Sequence, residues 1–259
     1  MRVAAIQLRV ADGESPADRM AAATAAVRAE AEAGAEVVLL PEMWLPGYFA
    51  FDDYAGSAEH LDGETVTALS DLARECRVTL CAGSIVERDG DRLYNTIVLI
   101  DGSGEMAATY RKIHLYGYGS REQRLLTRGE KIVTADHSGV RLGLSTCYDL
   151  RFPELYRGMV ERGAEVFLVV AAWPFPRVAA WRCLTRARAI ENQAALVACN
   201  AAGHQSGGAY LGSSGVYDAW GTCLGELDDR PGVLRREIDV GAVRAARADY
   251  PALTDRVLR

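Results

Sequence analysis

Residues 140–157 constrain the fold more than any other stretch of the chain. Val140 to Leu144 is a short apolar run of the kind that forms a buried strand. Pro153 and Glu154 follow as the first turn of a helix, because proline fits the first helical position and an acid suits the positive helix end. A strand delivered straight into a helix belongs to layered α/β structure. Cys147 stands on the turn between them. A thiol there is held by a rigid strand next to backbone N–H groups, which suits a nucleophile that must pass negative charge to nearby donors. A buried cysteine acting as a small apolar residue fits the same position, and this stretch alone leaves both readings open.

The rest of the chain repeats the alternation. Residues 2–10 read as a strand, and Ser15-Pro16-Ala17-Asp18 supplies an N-cap, a proline at the first position and an acid at the third. Met20, Thr24, Val27 and Ala31 give that helix an apolar stripe before Gly34 ends it. Residues 36–40 form a short strand that delivers Pro41-Glu42, and a second helix is predicted over 63–76. Strands near 78–86, 92–100 and 105–111 are joined by Asp89-Gly90-Asp91 and Asp101-Gly102-Ser103-Gly104, turn residues that signal antiparallel hairpins. A loop runs from Lys112 to about Gly129. After the central stretch come a helix to Arg162, a strand at 165–171, a helix at 177–192 and a strand at 195–200. Strands near 209–218, 222–227 and 233–239 and a short helix complete the reading.

Gly34-Ala35-Glu36-Val37-Val38-Leu39-Leu40-Pro41-Glu42-Met43-Trp44 matches the eleven residues from Gly163 to Trp173 at six positions. Convergent helix-Gly-strand units produce such echoes, and so do two related halves. No Pro/Gly/Ser-rich spacer divides the chain, so residues 1–259 are expected to form a single domain.

Charge excludes some functions. The net charge is −6 with no dense basic run, so neither nucleic acid nor an anionic membrane finds an electrostatic footprint. No apolar run is long enough to cross a bilayer. Six scattered cysteines argue for reduced thiols and a cytoplasmic setting. Without a Cys-x-x-Cys or a helical His pair, neither a metal nor another cofactor is expected.

A cysteine nucleophile needs a base. His60 and His137 sit in polar, turn-like contexts, and His204 lies in a Gly/Ser/Gln loop without an element to position it. His114, two residues past Lys112, would share a strand face with that lysine. Glu42 is the stronger candidate. An acid at the end of a buried strand is costly unless it has a task or a partner, and a desolvated carboxylate is basic enough to take a thiol proton. Lys112 is the matching cation, able to stabilise a thiolate and then an oxyanion. Taken singly, Glu42 could cap a helix and Lys112 could be a surface cation.

Together they carry a resemblance. Leu-Pro-Glu-Met-Trp around Glu42, Tyr-Arg-Lys-Ile-His-Leu around Lys112 and Cys-Tyr-Asp-Leu-Arg-Phe-Pro-Glu from Cys147 are similar to the Glu-Lys-Cys signatures of the nitrilase superfamily of carbon–nitrogen hydrolases. Leu93-Tyr94-Asn95-Thr96 and Arg186 to Asn192 extend the likeness over nearly the whole chain. The resemblance implies a four-layer α-β-β-α sandwich with pseudo-two-fold halves, and a homo-oligomer, dimer or larger. It implies Glu42 as general base, Lys112 as oxyanion cation and Cys147 as nucleophile, with Glu122 in the place of a second glutamate. Arg128-Gly129 stands where relatives often have Pro-Gly.

The activity so implied is amide hydrolysis through a thioester, releasing acid and ammonia. The candidate substrates are small amides, carboxylate-bearing ones among them. Arg151, four residues past the thiol, either pairs with a substrate carboxylate or forms an internal ion pair. Tyr48, Tyr116, Tyr148, Trp173 and Phe175 lie beside motif residues and wall a pocket or fill core. Rival readings are a nitrilase, an N-carbamoyl amino acid amidohydrolase, a papain-like protease and a binding protein on a silent hydrolase fold.

Overall fold

Alternation along the strands sets the layers. In the computed structural model, which describes residues 1–258, Val3 and Ala5 face a second sheet while Ala4 and Ile6 face helices. Val37 and Leu39 divide from Val38 and Leu40 in the same way. The result is two six-stranded sheets stacked face to face with helices outside, the predicted four-layer sandwich.

The chain begins with β1 (Arg2–Gln7), α1 (Pro16–Glu32), β2 (Val37–Leu39), a short α2 (Tyr54–Ser57) and α3 (Glu64–Cys76). It continues with β3 (Thr79–Asp89), β4 (Arg92–Ile100), β5 (Met106–Arg111) and a one-turn α4 (Glu122–Leu125). Next come β6 (Thr134–His137), β7 (Val140–Thr146), α5 (Pro153–Glu161), β8 (Val166–Ala171), α6 (Val178–Asn192) and β9 (Ala195–Asn200). The remainder is β10 (Ala202–Gln205), β11 (Gly208–Leu211), β12 (Gly215–Tyr217), β13 (Cys223–Glu226), β14 (Gly232–Glu237) and α7 (Val240–Asp249). The α1 start is capped as expected: the Ser15 hydroxyl accepts the Asp18 N–H at 3.1 Å, and the Asp18 carboxylate accepts the Ser15 N–H at 3.0 Å.

The sheets match strand for strand. One runs β14-β1-β2-β3-β4-β5 and the other, read from the opposite end, β6-β7-β8-β9-β12-β13. In each, three parallel strands lie at the centre, β1-β2-β3 and β7-β8-β9, flanked by antiparallel partners. The sequence echo falls on β2 and β8, the middle parallel strand of each half. Its leading glycines, Gly34 and Gly163, both end helices with left-handed φ of 88° and 86°. The echo is therefore a feature of the architecture.

Four expectations need correction. The first strand stops at Gln7, although a bridge at Arg9 continues the extended run. The span 209–218 is two strands, parted where Gly212 and Ser213 take positive φ. His137 is on a strand, with Nδ1 2.9 Å from the Thr79 hydroxyl, and exposed His204 lies on β10. The loop after Lys112 contains α4, whose burial of Glu122 no local pattern announces.

Candidate active site

Four strand ends converge. Lys112 directly follows β5 and Cys147 directly follows β7, while Glu42 and Trp173 lie just past β2 and β8. The ends of β2 and β8 are tied across the sheets: the Ala172 N–H donates to Glu42 Oε2 at 2.8 Å and the Glu42 N–H to the Ala171 carbonyl at 3.3 Å. The Lys112 N–H donates to the Asn95 carbonyl on β4 at 2.8 Å. These bonds fix the acid and the lysine by backbone as well as by side chain.

Glu42, Lys112 and Glu122 form a fully buried cluster. Lys112 Nζ donates to Glu42 Oε1 at 2.8 Å and to the Glu122 oxygens at 2.9 and 3.1 Å. Asn95 Nδ2 bridges the same two acids, at 2.8 Å to Glu42 and 3.1 Å to Glu122. Glu122 also accepts the Tyr116 N–H at 2.7 Å and the Tyr48 hydroxyl at 3.3 Å. Every carboxylate oxygen thus has donors, as buried charge requires.

Electrostatics divides the labour. Burial pushes the Cys147 thiol well above its ordinary range, Glu42 beside it adds to the push, and Lys112 only partly offsets them. The resting thiol keeps its proton, so the lysine alone does not make the thiolate that the sequence suggested. Burial works against a charged Lys112, but Glu122 and Glu42 outweigh it and hold the ammonium's pKa up. Burial raises Glu122, Lys112 pulls it back and Glu42 pushes it up again.

Cys147 opens a 3-10 turn, Cys147–Arg151, with a left-handed φ of 45°. A non-glycine residue there is strained, and its surroundings must hold it. Asp149 does so. Its buried carboxylate accepts the Thr146 N–H at 2.9 Å, the Tyr110 hydroxyl at 2.7 Å and the His114 N–H at 3.1 Å, and meets His114 Nδ1 at 2.7 Å. One side chain thereby links the turn carrying Cys147 to the segment carrying Lys112. His114 is occupied by this bond and by stacking on Phe152 at 3.7 Å, so it does not serve the thiol as base.

The thiol opens on a small, narrow pocket. Five of the six candidate lining residues, Tyr48, Tyr116, Tyr148, Arg151 and Trp173, border it. Phe175 does not: it is 59% exposed and borders another groove. A wider groove around Glu87 and Arg111 holds none of these residues. Sequence reading passed over Asn95, Asp149 and Arg177, although each lies within or beside a motif it singled out. Among the described residues, no group of three or more His, Cys, Asp or Glu side chains is placed to hold a metal, and no helix is long and apolar enough to cross a membrane.

Comparisons extend the picture. Residues 2–248 match the family model described as carbon-nitrogen hydrolase. The 2-oxoglutaramate amidase of Paenarthrobacter nicotinovorans is 35% identical over 98% of this chain and 88% of its own length. Human omega-amidase NIT2 is 32% identical over 98% of this chain and 94% of its own. Among solved structures, Saccharomyces cerevisiae Nit3, a member of branch 10 of the nitrilase superfamily, superposes with a TM-score of 0.91 at 25% identity, covering 100% of this chain and 97% of that one. An amidase of Nesterenkonia sp. AN1, a glutamate-to-glutamine mutant with the acetamide moiety of fluoroacetamide on its active-site cysteine, gives 0.85 at 29% identity over 99% and 94%.

Proposed function

The chain belongs to the carbon–nitrogen hydrolase family, and from that premise we propose that it is a cysteine-dependent amidase releasing acid and ammonia from a small amide. One observation carries the reading: the Cys147 thiol borders the pocket, with the buried Glu42 carboxylate beside it and the buried Lys112 ammonium bonded to that acid. In the first step Cys147 Sγ bonds to the amide carbonyl carbon while its proton passes to Glu42. Lys112 and the Tyr148 N–H, free at the start of the 3-10 turn, hold the oxyanion. The two carboxylates occupy two ammonium hydrogens and leave the third for substrate. The carbon–nitrogen bond then breaks as Glu42 returns its proton to the departing ammonia. Water, losing a proton to Glu42, attacks the thioester carbon, and the sulfur leaves and recovers that proton. Glu122 anchors Lys112 throughout.

Amides with a carboxylate at the far end of a short acyl chain are the favoured class, in keeping with the names of the two curated relatives. Six free cysteines support a reducing, cytoplasmic setting. Trp220 and Tyr250, exposed and paired at 6.0 Å, support a homo-oligomer, which light scattering would read as more than one copy.

Ammonia release from acid-tailed amides, neutral amides, nitriles and N-carbamoyl amino acids tests the assignment. Acid-tailed amides should turn over, Cys147→Ala should be inert, and intact mass should find an acyl group on Cys147. Loss of an oxyanion donor costs about 3–4 kcal/mol, so Lys112→Ala should be slower by at least hundreds-fold. Silence on every amide, or an active Cys147→Ala, would refute the proposal.

A further inference from the structure

Two guanidinium groups border the pocket without a carboxylate partner among the described residues: Arg151, from the turn that carries Cys147, and Arg177, from the residue before α6. The chain's other pocket-side charges are all paired, and the protein is acidic overall. Leaving two cations unpaired at one opening calls for an explanation.

Both are also held in place. Arg151 lies over the Trp173 ring, its guanidinium carbon 5.3 Å from the centroid, and Arg177 lies over Tyr116 at 5.7 Å. The Trp173 indole N–H donates to the Arg177 carbonyl at 3.1 Å, and the Trp173 backbone N–H to Asn200 Oδ1 at 2.7 Å. The Arg177 N–H is bonded to the Pro174 carbonyl at 3.2 Å. Tyr116 feels both guanidiniums and Cys147 at once, so the cations and the thiol share one small space. Each guanidinium therefore has an aromatic face to rest on and its donors left for an anion.

Resting on the amidase reading, we propose that Arg177 is the specificity-determining residue that, with Arg151, binds the substrate's distal carboxylate and turns a general amide pocket into one for acid-tailed amides. Arg151 comes from the thiol's own turn and approaches from the reaction side. Arg177 comes from the residue before α6, so the carboxylate is held by two separate elements.

The test compares kcat and KM for the monoamide of a short dicarboxylic acid with those for the neutral amide of matching length, in the wild type, Arg177→Ala, Arg177→Gln and Arg177→Lys. A hydrogen bond to a charged group is worth about 1.5–3 kcal/mol, so Arg177→Ala and Arg177→Gln should lose roughly 10- to 150-fold in kcat/KM on the acid-tailed amide, carried by KM. Arg177→Lys should recover part of the loss. The neutral amide should lose less than the acid-tailed one, so that the ratio of the two kcat/KM values falls, and far-ultraviolet ellipticity reports that each variant is folded. If the wild type prefers the acid tail and Arg177→Gln keeps that preference, Arg177 is the wrong residue while the amidase reading stands. A wild type indifferent to the tail overturns the subsite, and one that cleaves no amide overturns both.

Discussion

Glu122 shows how much burial changes a side chain's meaning. Its carboxyl is held above the ordinary range by burial, with Lys112 opposing and Glu42 reinforcing the shift. The folded protein therefore keeps this proton at a pH where the unfolded chain has released it. That contribution favours the fold fully below about pH 4.3 and fades as pH rises through the folded-state value. Glu122→Gln has no such proton to lose, so its stability should fall less steeply over the same window. Denaturant midpoints from acid to neutral pH check this, and parallel profiles would contradict it. Lys112 also carries more than the sequence suggested. A surface cation, the reading its sequence leaves open when taken singly, could be removed without harm to the fold. Buried between two acids, it leaves them uncompensated when truncated, so Lys112→Ala is expected to lose stability along with activity.

At the scale of elements, the turn after β7 depends on Asp149. Truncating it to alanine strips the buried Thr146 N–H and Tyr110 hydroxyl of their acceptor, a cost of about 1–3 kcal/mol for each orphaned group. Asp149→Ala should unfold at clearly lower urea and, where folded, show a reduced kcat with an intact thiol count. Full kcat would mean the turn holds Cys147 unaided. Glu42, Lys112 and Cys147 were legible because each sits in a short motif at a strand end, where local order suffices. Asp149 and Asn95 were not assigned, because their work is done across 35 and 53 residues of sequence. Arg177, two residues past the candidate Phe175, opens a predicted helix, and nothing local marks which way its side chain turns. A strand's alternation tells which face a residue takes but not what waits opposite it.

For the whole molecule, the cluster is assembled from both sheets: Glu42 and Lys112 follow strands of one, Cys147 a strand of the other. We propose that the chain unfolds as one domain, and amidase activity and far-ultraviolet ellipticity should then vanish together in one urea transition. Two separated steps would divide the halves. The sandwich was implied by the family resemblance and its paired halves agree with the helix-Gly-strand echo, whereas the partition of 209–218 rests on two residues with positive φ.

The position of β14 has a further consequence. It lies against β1, so among the described residues the last strand pairs with the first, Arg2 opposite Glu237. During translation the amino-terminal sheet waits with a bare edge until residues 232–237 have left the ribosome. Nascent chains halted earlier offer that edge to any other extended segment nearby, which makes them the species a cell's chaperones must shield.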